Sequence, residues 1–213
     1  MIRRESKQGG FVEAFIYIPQ SETVLDRIDR CVNWSPLRRQ IERLYRWGGP
    51  GRPAFPGVTL FKALLLQGWY DLSDPGAEEA LGDRISFRRF LGLKLDEKVP
   101  DHSTIHRFRD RIAAIAPQLF EMVNRQLEAQ GLTLKKGTLV DASLIPSVAH
   151  PRAQGQETGD PEASWGGKQD NLVYGYKAHV GMDQNSELIR QAEMTPARVH
   201  DSQMFKELVN GDE

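Results

Sequence analysis

Apolar positions recur at helical spacing through the first 135 of the 213 residues. Val24, Leu25, Ile28, Cys31 and Val32 form one stripe, and Leu37, Ile41, Leu44 and Tyr45 the next, with Ser35-Pro36 placed to cap and open the second helix. The stretch "WGGPGRPAFPG" reads as a loop, and residues 59 to 70 as an apolar helix. "SDPGAEEALGD" opens another helix behind Ser73 or Asp74, and Ser86 is placed to cap "FRRFLGL". After the turn-rich "DEKVPDHST", Ile105, Phe108, Ile112 and Ile115 mark a helix with Ser103 or Thr104 as its cap. A last helix runs from 117 to 130, with Gly131 as its stop.

From Leu134 the period changes to that of strands, which puts a domain boundary at 135/136. "GTLVDASLIPS" holds a nearly continuous apolar run between Gly137 and Pro146, the pattern of a strand buried on both faces. Residues 147–171 are rich in Gly, Pro, Ser and charge and read as a long mobile loop. "LVYGYKAHVGMD" and "SELIRQAEMT" flank Gln184-Asn185 as an antiparallel hairpin. "HDSQMFKELV" then begins a helix capped by Asp201 or Ser202. The expected order is a helical domain, 1–135, then three strands and one helix, 136–213.

Composition narrows the class. The chain is 39% hydrophobic and 27% charged, as in an ordinary soluble protein. Its single cysteine, Cys31, excludes an intrachain disulfide. No apolar run approaches the roughly 20 residues of a membrane helix, and the N-terminus lacks the apolar segment of a signal peptide, so a cytoplasmic protein without membrane partners is expected. The net charge of −1 hides an asymmetry: residues 1–136 carry 22 Lys and Arg against 17 Asp and Glu, and residues 137–213 carry 6 against 12. The basic front suits DNA, and equally suits helices with solvated arginines.

Candidate chemistry centres on Asp141. A lone carboxylate in a doubly buried strand costs several kcal/mol, so it must be neutral, paired with a cation, or holding a metal. Strand parity puts Leu139, Asp141, Ser143 and Ile145 on one face, and Lys177, His179 and Asp183 together on the hairpin. A carboxylate beside lysine and histidine fits a divalent-cation site that handles phosphates; a structural pairing with Arg or Lys fits equally. Asp183 suits turn chemistry and Asp201 a helix cap. The arginines at 107, 109 and 111 make either a basic helix for DNA or a solvated amphipathic one. His102 and His106 lack a third ligand at zinc spacing. There is no Walker loop, dinucleotide fingerprint or nucleophilic serine elbow.

Taken in order, "LSDPGAEEALGDRISFRRFLGL", "VPDHSTIHRFRDRI", "LVDASLIPS", "DPEASW", "YGYKAHVGMD" and "MTPARVHDSQMF" closely resemble the DDE transposases of bacterial insertion sequences, in the group named after insertion sequence five. The resemblance runs from about Val58 to Phe205. It implies an N-terminal helical domain that binds transposon ends, followed by an RNase H-like catalytic domain. In that family the aspartate of the "VDASLI" block is the first of three metal-binding carboxylates, and the match lands on Asp141. Two Mg2+ or Mn2+ ions held by the complete triad would activate water to cut a phosphodiester, and the freed 3′-hydroxyl would attack target DNA. DNA, as transposon ends and target, is the implied partner, and a homo-oligomer is compatible with it. Arg88, Arg89, Arg107, Arg109, Lys177 and His179 are the candidate DNA contacts. The family's second aspartate, in an "ADGAY"-like block, and its glutamate are not found in these 213 residues, and Asp183 and Asp201 match positions outside the triad. The expectation is therefore a shortened transposase, inactive by itself, in which the Asp141 strand is left as a poorly ordered edge. The alternatives are a non-catalytic fragment competing at element ends, or an unrelated RNase H-like metal nuclease.

Overall fold

A computed structural model describes residues 22–45, 54–132, 137–149, 160–168 and 171–209. The chain divides into two compact units, Met1–Gln126 and Leu127–Glu213. Helices come first and a small antiparallel sheet with one helix follows, a mixed α+β architecture consistent with part of an RNase H-like domain.

The helices are α1 (Val24–Cys31), α2 (Trp34–Glu42), α3 (Gly57–Trp69), α4 (Asp74–Asp83), α5 (Ile85–Leu91), α6 (His102–Ile112) and α7 (Ala116–Ala129). Ser73 caps α4 as expected, and Gly131, at φ +71°, stops α7. Other caps differ from the sequence reading. Asn33 caps α2 by accepting from the Ser35 N–H, and Pro36 sits one position further into the first turn than Ser35, where its missing N–H costs nothing. Arg84 both ends α4 and opens α5, which leaves Ser86 inside the first turn with no capping role. Asp101 caps α6, its carboxylate accepting from the Thr104 N–H at 2.7 Å and the Ser103 hydroxyl at 2.7 Å.

Two apolar clusters hold this unit together, and α3 and α6 feed both. Ala63 and Leu66 of α3 and Ile105 of α6 join Leu25, Leu81, Phe87 and Phe90 in one; Val58, Leu60, Phe108 and Ile112 join Leu37, Ile41 and Leu119 in the other. Lys62 is buried within α3 because its ammonium bonds Asp29 and the Phe90 carbonyl and lies over the Trp34 ring, 4.6 Å from its centroid.

The sheet is built on one long strand. β3 (Asn171–Asp183) pairs antiparallel with β1 (Thr138–Pro146), β2 (Ser164–Lys168) and β4 (Ile189–Pro196). Gly175 pairs with both Pro146 and Ser164, and Tyr176 with both Ile145 and Pro196, so β2 and β4 lie end to end along the edge of β3 away from β1. α8 (Asp201–Leu208) follows β4, capped by His200, whose Nδ1 accepts from the Ser202 N–H; Asp201 is the first helical residue.

Two expectations are corrected here. The segment read as a loop, 147–171, contains β2. Its Ser-Trp-Gly-Gly-Lys sequence carries no apolar alternation, and Gly166 is required because a Cβ there would collide with the Ala197 backbone. Residues 150–159 of that loop lie outside the described residues. The second correction concerns β1, which alternates half-buried and exposed along its length. Only one of its faces is covered, so Leu139 and Ile145 remain 46% and 38% exposed.

Candidate active site

Asp141 sits in the middle of β1, directly opposite Val180. Cross-strand partners share a face, so its neighbours on β3 are Ala178, Val180 and Met182, and on β4 Ala192 and Met194. The carboxylate is exposed, with Oδ1 accepting from the Ala142 N–H at 2.8 Å. A solvated carboxylate carries no burial penalty. Asp141 therefore needs no cation to account for it, and its position on a mostly apolar, open face becomes the feature to explain.

Lys177, His179 and Asp183 occupy the other face, paired with Leu144, Ala142 and Thr138. α8 packs there: a Cβ on Gly181, of the same parity, would lie 2.8 Å from the Leu208 carbonyl oxygen. The Lys177 ammonium donates to the Val199 carbonyl and the Asp201 carboxylate, each at 2.9 Å, and this bond holds Asp201 below the usual carboxylate range. His179 is fully buried. Its Nε2 lies 2.9 Å from the Thr195 hydroxyl, while Nδ1 has no hydrogen-bond partner among the described residues and stands 3.8 Å from Asp201. Burial pushes its pKa down, so the ring is neutral at pH 7. Lys177 thus ties α8 to the sheet with His179 buried beside it, and the grouping of Asp141 with lysine and histidine expected from the sequence does not form. Asp183 is buried at the hairpin, accepting from the Asn185 and Ser186 N–H groups and the Ser186 hydroxyl.

The arginines divide in the same way. Arg88 is buried and donates to the carbonyls of Lys94, Leu95 and Glu97, pinning the turn after α5. Arg89 pairs with Asp26. Arg109 donates to Gln67 at 2.7 Å and pairs with Asp74, whose carboxyl it holds down at about 2. Arg107 is exposed and, among the described residues, bonds within its own helix, to the Ser103 carbonyl and hydroxyl. Helical spacing accounts for the split: 107 and 111 lie one turn apart on one side, and 109 points elsewhere.

One cluster escaped the sequence reading. The Asp160 carboxylate accepts from the Ser147 and Tyr176 hydroxyls, and the Tyr174 hydroxyl donates to the Asp160 carbonyl. It ties the ends of the β1–β2 connection to β3. The "YGY" of β3 was its only sequence signal, since residues of like parity share a face.

Residues 12–111 match the family described as a transposase domain (DUF772), and residues 133–211 match the transposase DDE domain. Both matches, over separate parts of the chain, are to domains of transposases. No solved structure matches it. DNA is the partner that these transposase domains imply, and no helix among the described residues is long and apolar enough to cross a membrane.

DDE domains use divalent metals, so the open face of β1 can be tested for fit. A two-metal centre needs several oxygen ligands around ions roughly 3.5–4 Å apart. Among the described residues no group of three His, Cys, Asp or Glu side chains is placed to hold a metal ion, and Asp141 is the only carboxylate that β1, β3 and β4 place on its face. On that face the described residues offer one candidate ligand, and by themselves they do not make a two-metal centre.

Proposed function

We propose that this chain serves DNA transposition of a bacterial insertion sequence of the insertion-sequence-five group, binding element ends and contributing the first carboxylate of the strand-cleavage centre. The observation that carries this reading is Asp141: a solvated carboxylate at the middle of a DDE-domain strand, on the face that α8 leaves open. It supplies a ligand to Mg2+ or Mn2+ once further carboxylates, from outside the described residues, stand beside it. Bound there, such ions would supply a polarised water and stabilise charge on the phosphodiester; Asp141 would contribute negative charge and position. The helical unit binds DNA chiefly through phosphates, and Arg107, the exposed candidate arginine with no ion pair among the described residues, is the strongest of the expected contacts.

The test is strand cleavage of element-end DNA by the protein that contains this β1. Asp141→Asn keeps the shape, removes the charge and is expected to abolish cleavage while DNA binding persists. Cleavage near the parent rate would sink the assignment. A second reading, a chain that occupies element ends without cutting, is favoured by the single carboxylate on that face. Fluorescence anisotropy of the 213-residue chain on element-end DNA tests the part both readings share: the affinity should fall steeply with salt.

A further inference from the structure

A cleft of about 390 Å³ lies in the helical unit, between the chain just after α2, the start of α3 and the length of α6. The volume falls in the range of small-ligand sites, roughly 300–1,000 Å³. Its walls include Tyr45, Phe55 and Phe108, and Arg107 and Arg111 line the same space from successive turns of α6. The Arg111 guanidinium lies over the Tyr45 ring, 5.5 Å from its centroid. The Tyr45 hydroxyl is buried with no partner among the described residues, which is unusual for a folded interior. Burial pushes its ionisation up to about 12, so it remains a neutral donor and acceptor.

Aromatic rings, guanidinium groups and a hydroxyl with no partner among the described residues, all in one cleft, match the parts of a nucleotide. Bases stack on aromatic and guanidinium planes, and phosphates take guanidinium donors. We propose that this cleft binds a single unpaired nucleotide, its base against the Tyr45, Phe55 and Phe108 walls and its phosphate on Arg107 and Arg111. The cleft has a polarity. The Asp101 carboxylate lines it too, at the start of α6. It lies roughly 15 Å along the helix from Arg111 at 1.5 Å per residue. A phosphate is repelled from the Asp101 end, and a base edge carrying amino donors is favoured there. Among the described residues neither arginine forms an ion pair with a carboxylate: Arg107 bonds Ser103 of its own helix and acts on Asp101 only through the field of its charge, and Arg111 rests on Tyr45. As a nucleotide within a strand, the ligand rests on the reading of this chain as a DNA-binding transposase. A free nucleotide presents the same chemistry.

The full chain is titrated against a paired duplex, the same duplex with one unpaired 2-aminopurine, and free 2-aminopurine deoxynucleotide 5′-phosphate. The unpaired probe should bind about ten-fold tighter than the paired one, with 2-aminopurine emission quenched by stacking. Arg107→Gln and Arg111→Gln, both at exposed positions, should each remove most of that increment, and Tyr45→Phe should weaken it less because the stack remains. Binding of the free nucleotide without preference for the unpaired duplex identifies a free nucleotide as the ligand and leaves the cleft assignment standing. Equal affinity for both duplexes, with no quenching and no binding of the free nucleotide, overturns the proposal even though DNA binding persists. Failure to bind either duplex overturns the DNA reading, and the free nucleotide then decides the cleft alone. An increment unchanged in both arginine variants also overturns the proposal.

Discussion

Asp141 faces Val180 across the β1–β3 ladder, one position out of step with His179. That single step separates a solvated carboxylate from a buried imidazole on opposite sides of the same sheet. Replacing Asp141 by Asn should change the stability of the chain by no more than about 0.5 kcal/mol, as for an exposed side chain whose one bond, from the Ala142 N–H, an amide oxygen can also accept. Urea denaturation of the two proteins checks this. A larger loss would mean that the carboxylate serves the fold, and its loss of cleavage could no longer be read as catalytic.

His179 should make the sheet sensitive to mild acid. Its folded pKa lies below the ordinary value of 6.5 because burial disfavours the charged ring. Above about pH 6.5 the ring is neutral in both folded and unfolded chains and adds no pH dependence. As the pH falls below that, the unfolded chain takes up a proton that the buried ring resists, and stability declines until the folded pKa is passed. Thermal melts from about pH 8 to 5 should show this decline in the parent and a flatter profile in His179→Gln. Parallel profiles would count against it.

The Asp74 and Arg109 pair acts at a lower pH with a related sign. Asp74 is held at about 2 against its ordinary 3.8, first by Arg109 and then by Gln67. Its contribution is complete above about pH 4 and is lost as the pH falls from there towards 2. Since the pair is partly solvated, Asp74→Asn should cost about 1 kcal/mol at neutral pH. The variant should also lose less than the parent between those two pH values, which calorimetry can measure.

Arg88 should behave as a structural residue. Arg88→Met keeps the apolar stem and deletes the donors, leaving the carbonyls of Lys94, Leu95 and Glu97 without their partner. A loss of about 2–3 kcal/mol is expected. Anisotropy under conditions where the variant remains folded should show DNA affinity close to the parent's. A folded variant that no longer binds DNA would return Arg88 to the list of contacts.

Much of this architecture was legible because it is local. Apolar stripes such as Leu37 and Ile41, and Ile105, Phe108 and Ile112, carry the helical period in the sequence and form the core in the structure. The hairpin was readable from Asp183 and the polar turn after it. Caps were less legible because several polar residues compete at each helix start, and Asp101 displaced Ser103 and Thr104 by offering a carboxylate to both. β2 was invisible for a different reason: its pairing comes from β3 and from glycines that allow close approach. Parity within each strand was correct, but the register between strands follows from long-range packing, which no spacing in the sequence records. That is why Lys177 and His179 were expected beside Asp141 and are found beneath α8.

The alternation of β1 has a consequence for how this stretch tolerates change. Single substitutions at Leu139, Ser143 or Ile145 alter one water-facing side chain and leave the others where they are. Deleting or adding one residue between Gly137 and Asp141 moves every later side chain of the strand to the other side. The carboxylate would then go under α8 beside the buried imidazole, and Ala142 and Leu144 would turn outward. What this stretch must preserve is its count, and an altered length is more damaging here than an altered letter.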